Sequence, residues 1–157
     1  VCDYICEYSP VAPQRCFVEA NFSGDKKASA QSFLSVRGKK VTAEVVLSKP
    51  LVQKFLHTTP KVMTGYWQMS ALGSVLSGTI GAQGHYANGL AALYIACGQD
   101  AACVAESAIG VTRFEESEGD LYACVTLPNL IVGTVGGGTH LPGQRACLEL
   151  MGLFGDG

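Results

Sequence analysis

The sequence predicts an α+β fold: a buried central helix, packed with surrounding helices and a small, mostly antiparallel sheet. Three observations carry that expectation. Residues 78–100 (GTIGAQGHYANGLAALYIACGQD) hold the longest apolar run in the chain, closely bracketed by polar groups. Residues 40–47 (KVTAEVVL) are β-branched and partly alternating, as strands are. Residues 110–114 and 121–127 are two more strand candidates, joined by the acidic turn EESEGD in a hairpin pattern.

The elements follow in order. Residues 1–15, with Ser9-Pro10 and Ala12-Pro13, are weakly patterned and expected to be irregular. Residues 16–18 are a short strand candidate, and 19–27 (EANFSGDKK) a loop marked by Asn21, Ser23 and Gly24. A helix is expected over 28–36, with Phe33 and Leu34 inward and Gly38 ending it. After the strand at 40–47, Ser48 is a fair N-cap and Pro50 suits the first turn of the next helix. Leu51, Val52, Phe55 and Leu56 would form its buried face. Thr59-Pro60 repeats the cap and proline, opening a helix over 61–72 with a break expected near Gly65. Gly73, Ser77 and Gly81 then fall four apart, a spacing that lets another backbone approach closely, including that of a second subunit.

Within 78–100, His85, Asn88, Ala92, Ala96 and Gln99 recur at helical spacing on one face, while Leu90, Leu93, Tyr94 and Ile95 occupy the others. A helix apolar on nearly every side is usually buried, and polar groups on it need partners. Gly98 breaks this helix and Asp100 follows at once, a carboxylate that invites a cation from elsewhere in the chain. Residues 101–107 continue as a short helix. Pro128 interrupts the sheet pattern, and 130–132 runs into 133–139 (GTVGGGT). A last amphipathic helix over 144–153 would align Ala146, Leu150 and Leu153.

Composition narrows the function classes. The chain has 157 residues, 48% of them hydrophobic and 15% charged, which suits one folded core rather than a disordered segment. Its net charge of −2 leaves no basic cluster able to track a phosphate backbone, so no nucleic-acid partner is expected. The seven cysteines are odd in number, form no CxxC, and several sit in apolar runs, the pattern of reduced, buried thiols in a cytoplasmic protein. No basic n-region of a signal peptide opens the chain, and no apolar run approaches the roughly 20 residues needed to span a bilayer. The sequence lacks an initiator Met, so a trimmed or partial chain is expected.

Three stretches have the residue types for chemistry. In Asp25-Lys26-Lys27, lysines in a first helical turn oppose the helix macrodipole, yet two cations beside free backbone N–H groups would hold a carboxylate, a phosphate or a developing oxyanion. The plain alternative makes Asp25 an N-cap and both lysines solvated. His85 and Asn88 read on local grounds as hydrogen-bonded core groups, and Asp100 as a helix-end carboxylate. A lysine from the earlier loop would turn Asp100 into half of a buried ion pair, which keeps an ammonium charged despite desolvation. Residues 133–139 match neither a P-loop nor a Rossmann fingerprint. Three adjacent glycines still permit close backbone approach to a ligand, and a tight strand-to-helix turn is the equal alternative.

Five segments occur in one order: 22–28 (FSGDKKA), 36–41 (VRGKKV), 85–88 (HYAN), 95–102 (IACGQDAA) and 133–139 (GTVGGGT). Together they resemble the catalytic region of class I 3-hydroxy-3-methylglutaryl-coenzyme A (HMG-CoA) reductases, over about residues 17–153. The resemblance implies an incomplete large, substrate-binding domain over 1–157, with 1–16 as the end of a small NADP-binding domain. It implies an oxidoreductase of the mevalonate pathway that reduces HMG-CoA to mevalonate with two NADPH through a mevaldehyde stage, without a metal. Lys26 would stabilise the oxygen on which negative charge builds, and Asp100 would hold and tune that lysine. Asn21, Asp25 and Lys27 would line the substrate loop, Asn88 would hydrogen-bond the reacting end, and His85 would stand nearby. Gly133, Thr134, Val135, Gly136, Gly137, Gly138 and Thr139 would lie near the nicotinamide. The site would form between two subunits of a homodimer facing the cytosol.

The family pattern also places a catalytic glutamate and the main NADP-binding segment before these residues and a histidine after them, so turnover by this chain alone is not expected. The chain departs from that pattern at residues 69–74 (MSALGS), which lack a lysine, between Gly81 and His85, one residue short, and at Glu19, where many relatives have serine. Two other readings stay open. One is a non-catalytic assembly or nucleotide-binding module that keeps the fold without turnover. The other is an unrelated phosphate-binding protein using Asp25-Lys26-Lys27.

Overall fold

The computed structural model describes residues 1–15, 17, 26–34, 37–82 and 84–155. Of the sequence expectations, Asn21, Asp25 and Glu19, and the 16–18 strand apart from Phe17, lie outside the described residues. Six α-helices are described: α1 (Cys2–Tyr8), α2 (Lys49–Leu56), α3 (Pro60–Leu76), α4 (Tyr86–Ala96), α5 (Val104–Ser107) and α6 (Pro142–Leu150). Short 3-10 turns lie at Ala30–Leu34 and Ala101–Cys103. Three strands, β1 (Lys39–Leu47), β2 (Val111–Ser117) and β3 (Asp120–Leu130), form an antiparallel sheet in the order β1-β3-β2. This is the expected α+β arrangement.

The hairpin is tighter and longer than the turn-rich EESEGD suggests. Ser117 pairs with Asp120, so the loop is only Glu118-Gly119, both at positive φ (53° and 90°). Two residues at positive φ match the right-handed twist of the flanking strands, and the acidic residues before them join β2. Pro128 does not interrupt β3. It lies past the last pairing with β2 (Val111 with Thr126) and inside the register shift between Lys39 and Val41 of β1. There the ladder demands no N–H from it.

The helices depart from expectation where apolar periodicity alone had to define their faces. Residues 2–8 are helical rather than irregular, with Tyr4 and Tyr8 one turn apart and their rings stacked at 4.5 Å. In place of a helix over 28–36, the described residues form the 3-10 turn Ala30–Leu34, which buries Ser32 while Leu34 is exposed. On α2 only Val52 is buried; Leu51, Phe55 and Leu56 stay largely exposed because the helix meets the sheet along one narrow line. Ser48 makes no side-chain cap there; instead the Lys49 N–H donates to Asp120 Oδ1 at 2.8 Å. Thr59 does cap α3, accepting from the Val62 N–H at 3.3 Å. That helix passes unbroken through Gly65 to Leu76 and lies across β2, with Trp67 Nε1 donating to the Thr112 carbonyl at 2.5 Å.

Within 78–100 the helix occupies only the part that carries the helical spacing of His85 to Gln99. Gly78 and Gly81 take positive φ (72° and 99°), and Ala82 forms a parallel bridge to Val111, so helix begins only at Tyr86. Gly81 fits because its Cα lies against Gly110: a Cβ there would stand 2.3 Å from the Gly110 carbonyl oxygen. Of the small residues four apart, Gly81 therefore makes a close approach, whereas a Cβ at Gly73 would meet nothing within 4 Å. α4 buries Leu90 and Tyr94 alone; Leu93 and Ile95 remain 43% and 64% exposed, because α4 packs on one side, against α5 and the end of β3. Tyr94, wholly buried, donates its hydroxyl hydrogen to Ser107 Oγ at 2.9 Å, and Ser107 Oγ accepts the Ile131 N–H at 3.2 Å. α6 buries Leu148, not the Ala146-Leu150-Leu153 line; Leu150 is 89% exposed. One core cluster is Leu90, Tyr94 and Cys103, closed by Tyr86, Val104, Leu127, Leu130 and Ile131, and Val52, Leu121 and Leu148 are buried elsewhere.

Candidate active site

α4 ends at Gly98, whose φ of 66° only glycine adopts without strain. The chain then turns, and Asp100 opens the 3-10 turn Ala101–Cys103 that leads into α5. Asp100 Oδ1 accepts the Ala102 N–H at 3.0 Å, a side-chain cap that fixes the carboxylate. Its Oδ2 accepts Lys26 Nζ at 2.7 Å from a segment 74 residues earlier. The hydrogen bond from Lys26, and then that from Ala102, hold the Asp100 carboxyl below the usual aspartate range. The pair expected from the sequence is present, but it is open rather than buried, with the two side chains 47% and 53% exposed. Both groups keep most of their hydration, so the contact itself adds little stability. The ammonium is half-exposed and held in place by the carboxylate.

Lys26 is anchored from beneath. It has a positive φ of 54°, a conformation that costs a non-glycine residue about 1–2 kcal/mol. Its N–H donates to Glu106 Oε1 at 3.1 Å. Glu106, on α5, is 3% exposed and is gripped by Arg37, through Nε to Oε2 at 3.2 Å and a terminal nitrogen to Oε1 at 2.5 Å. Asn129 Oδ1, itself buried, accepts the N–H groups of Arg37 (3.4 Å) and Gly38 (2.7 Å). Burial raises the Glu106 carboxyl, yet Arg37 and the Lys26 N–H outweigh it and hold the group below the ordinary glutamate value. Burial pushes the neighbouring Cys103 thiol up, with the Asp100 and Glu106 charges adding to it.

The glycine loop is tied to the same corner. The Gln99 side-chain amide makes a reciprocal pair with Gly133, Nε2 donating to the Gly133 carbonyl and Oε1 accepting its N–H, each at 2.8 Å. The Gly138 N–H donates to the Gly98 carbonyl at 3.2 Å, and the two backbones touch so closely that a Cβ on Gly98 would lie 2.4 Å from Gly138. Thr139 Oγ1 donates to the Gly136 carbonyl at 2.6 Å, closing the turn before α6. A cavity of about 260 Å³ opens beside the loop, lined by Thr134, Val135, Gly136, Thr139, His140, Phe154 and Gly155. Asp100 and residues 133–139 are therefore neighbours, linked through Gln99 and Gly98.

The other candidates stand apart from that corner. His85, at a φ of 64°, precedes the first turn of α4 and caps nothing with its side chain; Asn88 lies in that turn, and both are exposed. Among the described residues neither is hydrogen-bonded to Lys26 or Asp100. Lys27 is exposed beside Lys26. The sequence reading did not find Glu106, Arg37, Asn129 or the bridging role of Gln99. A signal existed for the first of these: Glu106 is the sole charge in an otherwise small and apolar stretch (AACVAESA), where a carboxylate needs a cation.

Comparison with known proteins bears on what this corner does. A family model described as hydroxymethylglutaryl-coenzyme A reductase matches residues 1–157. The chain is 43% identical to the 3-hydroxy-3-methylglutaryl-coenzyme A reductase of Pyrococcus horikoshii over 143 residues, which is 89% of this chain and 34% of that protein. It is 43% identical to the reductase of Aeropyrum pernix over 158 residues (100% of this chain, 38% of that protein). With 3-hydroxy-3-methylglutaryl-coenzyme A reductase 2 of Dictyostelium discoideum it shares 42% over 157 residues (98% and 30%). The chain spans about a third of the length of the curated relatives it matches. A match along the full 157 residues, with a lysine–aspartate pair beside a glycine loop, establishes that this chain belongs to the hydroxymethylglutaryl-coenzyme A reductase family.

Proposed function

We propose that this chain is part of the catalytic, substrate-binding domain of an enzyme that reduces HMG-CoA to mevalonate with two NADPH, and that residues 1–16 close the preceding NADP-binding domain. The single observation that supports it most is the Lys26–Asp100 contact at 2.7 Å, held at the surface rather than in the core. The carboxylate holds the ammonium in place. The ammonium donates to the thioester carbonyl oxygen of HMG-CoA and stabilises the negative charge that builds there as the carbon is reduced. A preorganised donor of this kind acts on charge that exists only in the transition state. Lysine supplies here the electrophile that a metal supplies in other reductases. The same group serves again when the mevaldehyde carbonyl is reduced. Asn88 hydrogen-bonds the reacting end of the substrate, and Lys27, with Asn21 and Asp25, lines the substrate loop.

NADPH, when bound, supplies the hydride. Residues 133–139 suit such a ligand: Gly136 and Gly137 have φ of 82° and 55°, and a Cβ on Gly136 would meet nothing within 4 Å, so bare backbone faces the open cavity. Gln99 keeps that backbone at a fixed place relative to Asp100. The site forms between two copies of the protein, a reading supported by the exposure of Asn88, Leu93 and Ile95 on the helix that leads into Asp100. In this reading the reaction takes place in the cytoplasm; among the described residues no helix is long and apolar enough to cross a membrane.

The test is Lys26→Ala in the complete protein, assayed by the loss of NADPH absorbance on adding HMG-CoA. The expected fall in kcat is about 10²–10³-fold, the usual effect of removing one oxyanion donor. A variant within about threefold of wild type would remove Lys26 from the chemistry.

A further inference from the structure

We infer that Glu106 is a positioning residue for Lys26, with Arg37 as the clamp that holds Glu106 in place. The inference rests on the reading of Lys26 given above. Lys26 sits in the left-handed region, at a φ of 54°. A lysine keeps that conformation only where its surroundings determine it. Among the described residues, the contact made by its backbone is the Lys26 N–H to Glu106 Oε1 bond of 3.1 Å. Glu106 cannot move to follow a displaced lysine. Its side chain is 4% exposed, both its oxygens are taken by Arg37, and Asn129 pins the backbone of Arg37 and Gly38.

Among the described residues, two anchor points hold Lys26. Its backbone is fixed by the buried carboxylate of Glu106 and its ammonium by the exposed carboxylate of Asp100. Both carboxylates belong to one short segment, Asp100 through α5, so the lysine loop and its counter-ion are docked on a single rigid piece. Without Glu106 the backbone at Lys26 would relax to an ordinary conformation and carry the ammonium away. Misplacement of a reacting group by about 1 Å can cost 10²-fold in rate.

The test is a double-mutant cycle in the complete protein, pairing Glu106→Gln with Lys26→Ala and reading kcat and KM separately. Glu106→Gln alone is expected to lower kcat by about 10- to 100-fold with KM for HMG-CoA within about threefold. In the Lys26→Ala background the same change should alter kcat by less than about twofold, because no ammonium remains to be placed. A merely structural role would lower kcat equally in both backgrounds, and that additivity overturns the proposal. So does a Glu106→Gln enzyme with wild-type kcat. If Lys26→Ala is itself silent, the reading of Lys26 fails and the proposal with it, a result distinct from additivity. Should Glu106→Gln not fold, Arg37→Lys replaces it in the cycle. The Arg37 side chain is 42% exposed, and a lysine there keeps the charge but not the fork. The same coupling, weaker in size, is expected, and additivity is again fatal.

Discussion

Gly98 and Gly73 should respond in opposite senses to the same substitution. At Gly98 an alanine meets two separate penalties. Its φ of 66° is left-handed, which costs a residue with a Cβ about 1–2 kcal/mol. That Cβ would also stand 2.4 Å from the carbonyl carbon and oxygen of Gly138 and 2.8 Å from the Thr139 nitrogen. The obstructing atoms are backbone, so no rotamer change relieves the overlap and the glycine loop must shift by about 1 Å; overpacking of this kind costs about 1–3 kcal/mol. Gly98→Ala is thus expected to destabilise by about 2–5 kcal/mol. At Gly73, inside α3, a Cβ meets nothing within 4 Å. The only change there is lost backbone freedom in the unfolded chain, and Gly73→Ala should stabilise by about 0.5–1 kcal/mol. Urea denaturation followed by circular dichroism reads both signs. Amide exchange at Gly138, whose N–H bonds to the Gly98 carbonyl at 3.2 Å, localises the first effect. If Gly98→Ala lies within about 0.5 kcal/mol of the parent, or Gly73→Ala weakens the protein as much, the packing of the two glycine segments is not as described.

Acid should release the clamp beneath Lys26. The Glu106 carboxyl lies below its ordinary value of 4.5 when folded, so the stability it confers is fully present above that pH and is lost as pH falls through the folded value. Asp100 acts in the same direction. Stability measured between neutral and acid pH should therefore fall in the acid range, and Glu106→Gln should flatten that slope; an unchanged slope removes Glu106 as its source. Gln99→Ala breaks two hydrogen bonds of 2.8 Å to Gly133 and frees the glycine loop from Asp100. At about 1 kcal/mol each, partly offset by water, KM for NADPH should rise about three- to tenfold with little loss of kcat on the proposed cofactor role of residues 133–139. A KM within about twofold of wild type would detach Gln99 from the cofactor site.

Local patterns in the chain were good guides wherever a single element supplies its own physics. The partly alternating, β-branched residues of 40–47 and the hairpin around 110–127 marked β1, β2 and β3 to within a few residues, since residue type and turn chemistry are properties of neighbouring positions. Thr59 and Pro60 marked the start of α3 for the same reason, a cap being a contact over three residues. Burial was the weak point. Leu51, Phe55, Leu93, Ile95 and Leu150 are apolar and exposed in this chain, because hydropathy records what a residue would gain from a partner surface and not whether one is there.

The residue types of the site were visible in order along the chain. Lys26, Asp100 and the glycines of 133–139 stood out by composition and spacing; on local grounds Asp100 called for a lysine of the earlier loop, and the family resemblance singled out Lys26. What spacing does not encode is distance across the fold. Glu106 and Arg37, 69 residues apart, Asn129 beneath them and Gln99 bridging to Gly133 become one network only when α5, β3 and the glycine loop converge. That convergence depends on the packing of Tyr94 on Ser107 and of Gly98 on Gly138, contacts between positions far apart in sequence whose fit depends on shape rather than residue class. The chain's chemistry was written in its residues; the rigidity that places that chemistry came from close packing.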